Sequence, residues 1–135
     1  MNKNHHYLFA YGSLISSEVI ELVLGYVPES NPAYLEGYAC YYVNEATFPG
    51  MVKDPKGKTE GLIYRDLTEH DWQRLDAYED EFYERQLLSV TSQGKEIFSM
   101  GYVIPETSRS VLSDNFWSWS EFQQLHLENY LLRMR

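Results

Sequence analysis

The sequence predicts a mixed α+β fold in which the strands form a small, largely antiparallel β-barrel. The first indication is a series of about five or six short runs rich in aromatic and β-branched residues, separated by turn residues. The second is that the strand–helix alternation typical of a parallel sheet stops after the first unit. The length of 135 residues suits one domain, which we place at 1–135.

The first predicted strand leads directly into a helix. Residues 7–11 are an aromatic, apolar run that indicates a buried strand. A Gly-Ser turn then opens into "SSEVIELVLG", a short helix that Ser16 or Ser17 can cap and Gly25 can end.

The next segments alternate between strand and loop. Pro28 and Pro32 are predicted to bracket a loop. Residues 34–47 predict one bent strand or two, with Gly37 as a bulge. The proline and glycine residues in 48–58 predict a further loop before the strand "EGLIYRDL".

The second half of the chain contains the clearest helix signal. Thr68 is the predicted N-cap of a helix over "LTEHDWQRLDAYEDE". Residues 84–104 predict a β-hairpin that turns near residues 93–95, and Pro105 ends it.

The chain is predicted to close with an amphipathic helix at about 118–134. We expect Trp117 and Trp119 to pack against this helix, with an oligomer contact as the alternative. The residues that could dock it on the body are Leu125, Leu127, Tyr130, Leu131 and Met134.

Composition and charge exclude several classes of function. A net charge of −9 argues against nucleic acid as a partner, and no apolar run approaches the ~20 residues of a membrane span. Cys40 is the single cysteine, so no internal disulfide can form, and the N-terminal residues show no secretory signal. We therefore expect a cytoplasmic protein. His5 and His6 would face opposite sides of a strand, so no metal site is predicted there.

Glu79 is an acid in an apolar pattern. On a wheel of about 100° per residue, Trp72 and Leu75 mark the buried side of the predicted helix, and Glu79 falls between them. Unpaired burial raises the pKa of a carboxyl, as a general base working near neutrality requires. Alternatively, Glu79 caps a backbone N–H, pairs with Arg85, or lies beyond the end of the helix.

The stretch "FAYGSL" is a second candidate for a site. A Gly-Ser turn that opens a helix presents backbone N–H groups to an anion such as a carboxylate. Gly12 permits close approach, and the Ser13 hydroxyl adds a donor or an acceptor. The same pattern is also typical of a turn with no ligand.

Together these motifs resemble the gamma-glutamylcyclotransferase-like family, which includes the AIG2-like proteins. The resemblance runs from residue 7 to about residue 104. It rests on the order and spacing of "FAYGSL", "FPG", "EGLIYRDL", "LDAYE", "FYERQLLSV" and "GYVI". Many members have glycine after the catalytic glutamate, whereas this chain has Asp80, so the local turn and charge differ from the family pattern.

The resemblance implies a closed β-barrel with peripheral helices and a pocket for the α-amino-acid end of a γ-glutamyl group. It implies Glu79 as the catalytic residue. The substrate-binding residues that it implies are Tyr11, Gly12, Ser13, Leu14, Pro49, Gly50, Arg85 and Tyr102.

The implied activity is that of a cyclotransferase, which releases 5-oxoproline and a free amine from a small γ-glutamyl compound without a metal or other cofactor. The alternative is a non-catalytic binding or assembly module of the same fold. We expect a monomer or a homodimer.

Overall fold

The computed structural model describes residues 6–134 and contains a closed five-stranded barrel with a sixth strand at its edge. The barrel order is β3-β1-β5-β4-β2, and β2 pairs with β3 to close it, while β6 extends the sheet from β2. The β1–β5 pair is parallel, and the other pairs are antiparallel. The predicted α+β fold with a largely antiparallel closed barrel is confirmed. The strands are β1 (Leu8–Ala10), β2 (Ser30–Val43), β3 (Pro49–Tyr64), β4 (Glu84–Ser92), β5 (Lys95–Val103) and β6 (Leu112–Phe116).

Four helices lie around the barrel, and local sequence signals fix their ends. They are α1 (Ser17–Leu24), α2 (Glu69–Tyr78), α3 (Trp119–Leu125) and α4 (Leu127–Met134). The Ser16 side chain caps α1, and Gly25 ends it in the left-handed conformation, with φ at 88°. Thr68 caps α2 in a reciprocal capping box with Asp71.

Two apolar clusters lie on opposite faces of β1. Leu8 and Ala10 pack with residues of α1, α2 and α4. Phe9, between them, packs with residues of the other barrel strands. This alternation is the period of two that a strand imposes, and it makes β1 the wall between the barrel interior and the helices. The turn that follows β1 therefore lies where both layers meet.

The predicted loop over 48–58 was wrong, since most of it belongs to the long strand β3. Its turn residues mark an irregularity within the strand: Glu36 pairs with Lys58 and Tyr38 with Lys53, so several residues of β3 face Gly37 alone. Gly37 has φ at 85°, which confirms the predicted bulge. Pro32 likewise lies within β2 rather than at the edge of a loop.

The predicted terminal helix over 118–134 is divided at His126, where φ is −126°. The two parts bury their apolar residues against different neighbours. Phe122 of α3 packs on Trp117 and Trp119, with ring centroids 5.6 and 5.9 Å away, which confirms the expected role of both tryptophans. Leu131 of α4 packs in the cluster on α1 and α2.

Two further expectations about the C-terminal region were wrong. Leu125, expected to dock, is 64% exposed because it lies at the end of α3, away from the residues that α3 buries. Strand β6 was missed because it is a short, polar edge strand that is mostly exposed and therefore lacks an apolar alternation.

Within the described range, no helix has the length and apolar character needed to cross a membrane. The same residues hold no cluster of metal-ligating side chains. His5 of the histidine pair lies outside residues 6–134.

Candidate active site

A pocket opens between the end of β1, the end of α2 and helix α4. Its empty space is about 510 Å³, a volume that includes the open solvent at its mouth. Its walls carry five tyrosines and two carboxylates. The lining residues that bear on its chemistry are Tyr11, Gly12, Ser13, Leu14, Pro49, Tyr78, Glu79, Asp80, Tyr83, Tyr102 and Tyr130.

The Gly-Ser turn forms one side of the pocket as a single 3-10 turn over Ser13–Ile15. The first N–H that bonds within the turn is that of Ile15, which donates to the Gly12 carbonyl at 3.0 Å. The N–H groups of Ser13 and Leu14 precede it and have no acceptor in the turn. They are the donors that this turn can offer to a ligand.

Gly12 is required by close packing. A Cβ atom at this position would lie 2.7 Å from Cγ of Pro49, closer than side chains tolerate. The Tyr83 hydroxyl donates to the Pro49 carbonyl, which holds the residue at the rim. The turn and the Pro49 segment are therefore packed against each other, and each limits the movement of the other.

Glu79 lies one residue beyond α2, as its C-cap, with extended backbone at φ −77° and ψ 144°. The wheel that placed it inside the helix was therefore wrong about its backbone, and the alternative that it follows the helix end is correct. Its N–H still donates to the Leu75 carbonyl at 3.0 Å, so the residue keeps its position after the last helical turn. Its side chain is half-buried and lines the pocket.

The Glu79 carboxyl has no hydrogen bond or ion pair with any residue between 6 and 134. The alternative pairing with Arg85 does not occur, because Arg85 binds Asp76 at 3.3 Å. Burial, together with the charges of Asp80 and Asp76, raises the pKa of Glu79 to about 8, and burial is the largest of these causes. This carboxyl can hold or release a proton near neutral pH.

Three hydroxyl groups meet at Ser13, the first residue of the turn. The Ser13 Oγ lies 2.7 Å from the Tyr78 hydroxyl, and the Tyr78 hydroxyl is also hydrogen-bonded to that of Tyr130. The Tyr130 hydroxyl donates to the Ser13 Oγ over a longer 3.4 Å. We call Ser13, Tyr78 and Tyr130 the hydroxyl triad.

Sequence reasoning missed two of these residues as site residues. Tyr78 immediately precedes Glu79, and that adjacency could have indicated it. Tyr130 was singled out only for docking the terminal helix, and no local signal links it to Ser13, from which 117 positions separate it.

Most of the residues that the family resemblance implied lie together at this pocket. Those that line it are Tyr11, Gly12, Ser13, Leu14, Pro49, Glu79 and Tyr102. Two do not line it. Gly50 faces Ile104 and Leu112, which a Cβ would meet at 2.6 and 2.8 Å. The Arg85 guanidinium lies over the Trp72 ring, 4.8 Å from its centroid.

Arg85 is connected to the pocket through other side chains. It pairs with Asp76, and Asp76 accepts a hydrogen bond of 2.7 Å from the Tyr102 hydroxyl. Burial, reinforced by the Asp76 carboxylate, raises the pKa of Tyr102, so this wall residue stays a neutral hydroxyl.

Asp80, which replaces the glycine common in the family, occupies a backbone conformation open to any residue. The non-glycine residues with positive φ in the described chain are Glu45, Asp66 and Gln93. The turn after Glu79 therefore does not need glycine, and the consequence of the replacement is a negative charge at the pocket wall.

Residues 8–120 match the family model described as gamma-glutamyl cyclotransferase, AIG2-like. AIG2-like protein D of Arabidopsis thaliana is 28% identical over 129 residues, which cover 93% of this chain and 84% of that protein. A solution structure of a protein from Arabidopsis thaliana has a TM-score of 0.73 at 23% identity, and the match covers 96% of this chain and 79% of that chain. A structure named gamma-glutamyl cyclotransferase has a TM-score of 0.67 at 20% identity, and the match covers 96% of this chain and 85% of that chain. The matched region includes both the Gly12 turn and Glu79, and the chain belongs to the gamma-glutamyl cyclotransferase, AIG2-like family.

Proposed function

We propose that this protein is a γ-glutamyl cyclotransferase that converts a small γ-glutamyl compound into 5-oxoproline and a free amine. Glu79 is the general acid and base of the reaction. The observation that carries the proposal is an unpaired carboxyl of raised pKa in the same pocket as the N–H groups of Ser13 and Leu14.

The chemistry needs one proton-transfer group because the substrate supplies its own nucleophile. Glu79 takes a proton from the α-ammonium, and the freed amine attacks the γ-carbonyl carbon. A new C–N bond closes the five-membered ring, and the C–N bond to the leaving amine breaks. Glu79 returns this proton to the leaving nitrogen, and the second proton that the ring nitrogen must lose also passes through Glu79 to the departing amine, which leaves as an ammonium, so atoms and charge balance. Holding the substrate bent in the pocket replaces a collision with an intramolecular step.

The pKa of Glu79 suits both halves of this cycle. A carboxyl of ordinary pKa is a weak base for an ammonium and, once ionised, a poor source of protons near neutrality. With a pKa of about 8, Glu79 exchanges a proton with nitrogen at a smaller energetic cost in either direction.

The turn provides the complementary binding group. The N–H groups of Ser13 and Leu14 are donors for the α-carboxylate of the substrate, and among residues 6–134 no lysine or arginine lines the pocket. Pro49, in contact range of Gly12, shapes the wall beside this position.

The test is a screen of γ-glutamyl amines and γ-glutamyl dipeptides with chromatographic measurement of 5-oxoproline. We expect release from at least one compound by the natural protein, and strongly reduced release by Glu79→Gln. If no compound yields 5-oxoproline although one of them binds, the alternative of a non-catalytic binding module is favoured.

A further inference from the structure

The hydroxyl triad differs from the other hydroxyls of the pocket in its partners: its members hydrogen-bond one another, whereas Tyr11, Tyr83 and Tyr102 donate to carbonyl or carboxylate oxygens. Its three hydroxyls have three protons. Tyr130 donates to Ser13, and either hydroxyl can donate in the other two contacts, so a ring in which Ser13 donates to Tyr78 and Tyr78 donates to Tyr130 uses all three protons. Each oxygen then keeps lone pairs but has no proton free for a ligand. A ligand that donates can bind without breaking a contact, whereas a ligand that accepts must break one.

Charge around the triad favours the same kind of ligand. The ionisable acids that line the pocket are Glu79 and Asp80. Tyr78 directly precedes Glu79, and the charge of Glu79 contributes to raising the pKa of Tyr78, after the larger effects of burial and of Tyr130. A positively charged donor is therefore stabilised beside the triad.

We propose that the hydroxyl triad is the acceptor subsite for the α-ammonium of the substrate, and that Tyr130 is the positioning residue that completes it. This inference rests on the proposed function for the identity of the substrate. It assigns the two charges of the α-amino-acid end to different groups: the ammonium to the triad, and the carboxylate to the N–H groups of Ser13 and Leu14. It also makes α4, which lies beyond the region matched by the family model, part of the site.

The geometry explains how Tyr130 acts. Its ring is anchored by Phe122, with an edge-to-face contact at a centroid distance of 5.4 Å, and its N–H donates to the His126 carbonyl at 2.9 Å. The hydroxyl is thereby held between Tyr78 and Ser13. Without it, the Tyr78 and Ser13 hydroxyls can rotate and turn a proton toward the ammonium, which weakens the site.

The experiment compares two ligands that differ in a single group. γ-L-Glutamyl methylamide has the ammonium, and glutaric acid monomethylamide lacks it but keeps the carboxylate and the amide. Both are titrated calorimetrically into protein carrying Glu79→Gln, in which turnover is slow, with and without Tyr130→Phe. Phe keeps the ring that packs on Phe122, and a melting curve checks that the fold is retained.

We expect Tyr130→Phe to weaken binding of the glutamyl ligand by roughly tenfold, the usual effect of losing one hydrogen bond to a charged group, and to leave the desamino ligand unchanged. Tyr78→Phe should show the same selectivity. The matched control Tyr34→Phe, which removes a tyrosine hydroxyl outside the pocket, should change neither affinity. Equal weakening of both ligands, or no weakening of either, overturns the inference.

Binding and turnover separate this inference from the proposed function. If binding is selective but the natural protein releases no 5-oxoproline, the ammonium subsite stands and the proposed activity fails. If 5-oxoproline is released but Tyr130→Phe affects both ligands alike, the activity stands and the subsite assignment fails.

Discussion

Arg85 binds Asp76, with 3.3 Å between Nη1 and Oδ2, and Glu79 has no cationic partner among residues 6–134. Both members of the pair are partly exposed, so the pair itself contributes only about 0–1 kcal/mol to stability. Its consequence is electrostatic: the guanidinium that could have lowered the pKa of Glu79 is held elsewhere. The pH dependence, the stability change and the catalytic role predicted for Glu79 all depend on this unpaired carboxyl.

The pH dependence of the reaction should report the ionisation of Glu79. Since the base must be deprotonated to accept a proton, kcat/KM should rise with pH through an apparent pKa near 8. Asp80→Asn removes a charge that raises the pKa of Glu79, so the rising limb should move to lower pH. The measurement is kcat/KM across about pH 5.5–9.5.

The same comparison excludes a different origin of that limb. The α-ammonium of the substrate also titrates in the alkaline range, but its ionisation in free solution does not depend on Asp80. A limb that stays in place in Asp80→Asn would belong to the substrate rather than to Glu79.

The stability of the fold should also depend on Glu79. Its pKa is about 8 when folded and near 4.5 as a free group, so between these values the folded state binds more protons than the unfolded state. The free energy of unfolding therefore loses a contribution as pH rises from about 4.5 to about 8. In Glu79→Gln this contribution is absent, so the stability of the variant relative to the natural protein should increase over that range. Chemical denaturation at several pH values measures it, and a constant difference would contradict the raised pKa.

The wheel identified Glu79 although the residue lies outside the helix, and the reason is geometric. Its N–H completes the last i to i−4 hydrogen bond to Leu75, so its Cα still follows the helical path, and only its ψ departs. The stretch "FAYGSL" could also be identified from the sequence as a candidate site, because the strand, the turn and the next helix follow one another in the chain. Local pattern was sufficient for both halves of the candidate site.

Local pattern failed where partners are distant in sequence. Nothing near Tyr130 indicates that its hydroxyl reaches Ser13, because the contact exists only after α4 docks on the barrel. Likewise, the proline and glycine residues in 48–58 indicate a turn. They do not indicate that β2 pairs with β3 on both sides of it, because that pairing depends on the register of two long strands. Such signals locate a change in chain direction without saying whether the strand resumes.

Gly12→Ala should weaken substrate binding as well as lower the stability of the fold. The new Cβ would lie 2.7 Å from Cγ and 3.0 Å from Cδ of Pro49, so the turn and the rim must move apart. We expect a several-fold increase in KM and a loss of stability of about 1–3 kcal/mol, the usual cost of overpacking. Steady-state kinetics and denaturation on the same preparation measure both.

Gly61→Ala provides the contrast. Its Cβ would lie 2.1 Å from the backbone oxygen of Ala10, so the clash is with the β1–β3 pairing rather than with a side chain at the rim. This variant should lose more stability than Gly12→Ala. If Gly12→Ala leaves KM unchanged while lowering stability, Gly12 serves only the packing of the turn.

Glu79→Gln separates catalysis from structure, because the amide keeps the size and polarity of the side chain but cannot accept the proton. Release of 5-oxoproline per folded molecule should fall by roughly 10²–10⁴-fold, the usual contribution of a positioned acid–base group. Folding should be retained near neutral pH, since the carboxyl has no hydrogen bond or ion pair within residues 6–134 to lose and, with a pKa of about 8, is itself mostly protonated there, so that one neutral polar group replaces another. Glu81→Gln is the matched control: it makes the same change two residues away, on an exposed side chain that does not line the pocket, and should leave the rate unchanged. Turnover and melting measured on one preparation decide the outcome, because a rate that falls only in proportion to the folded fraction would remove Glu79 from the mechanism.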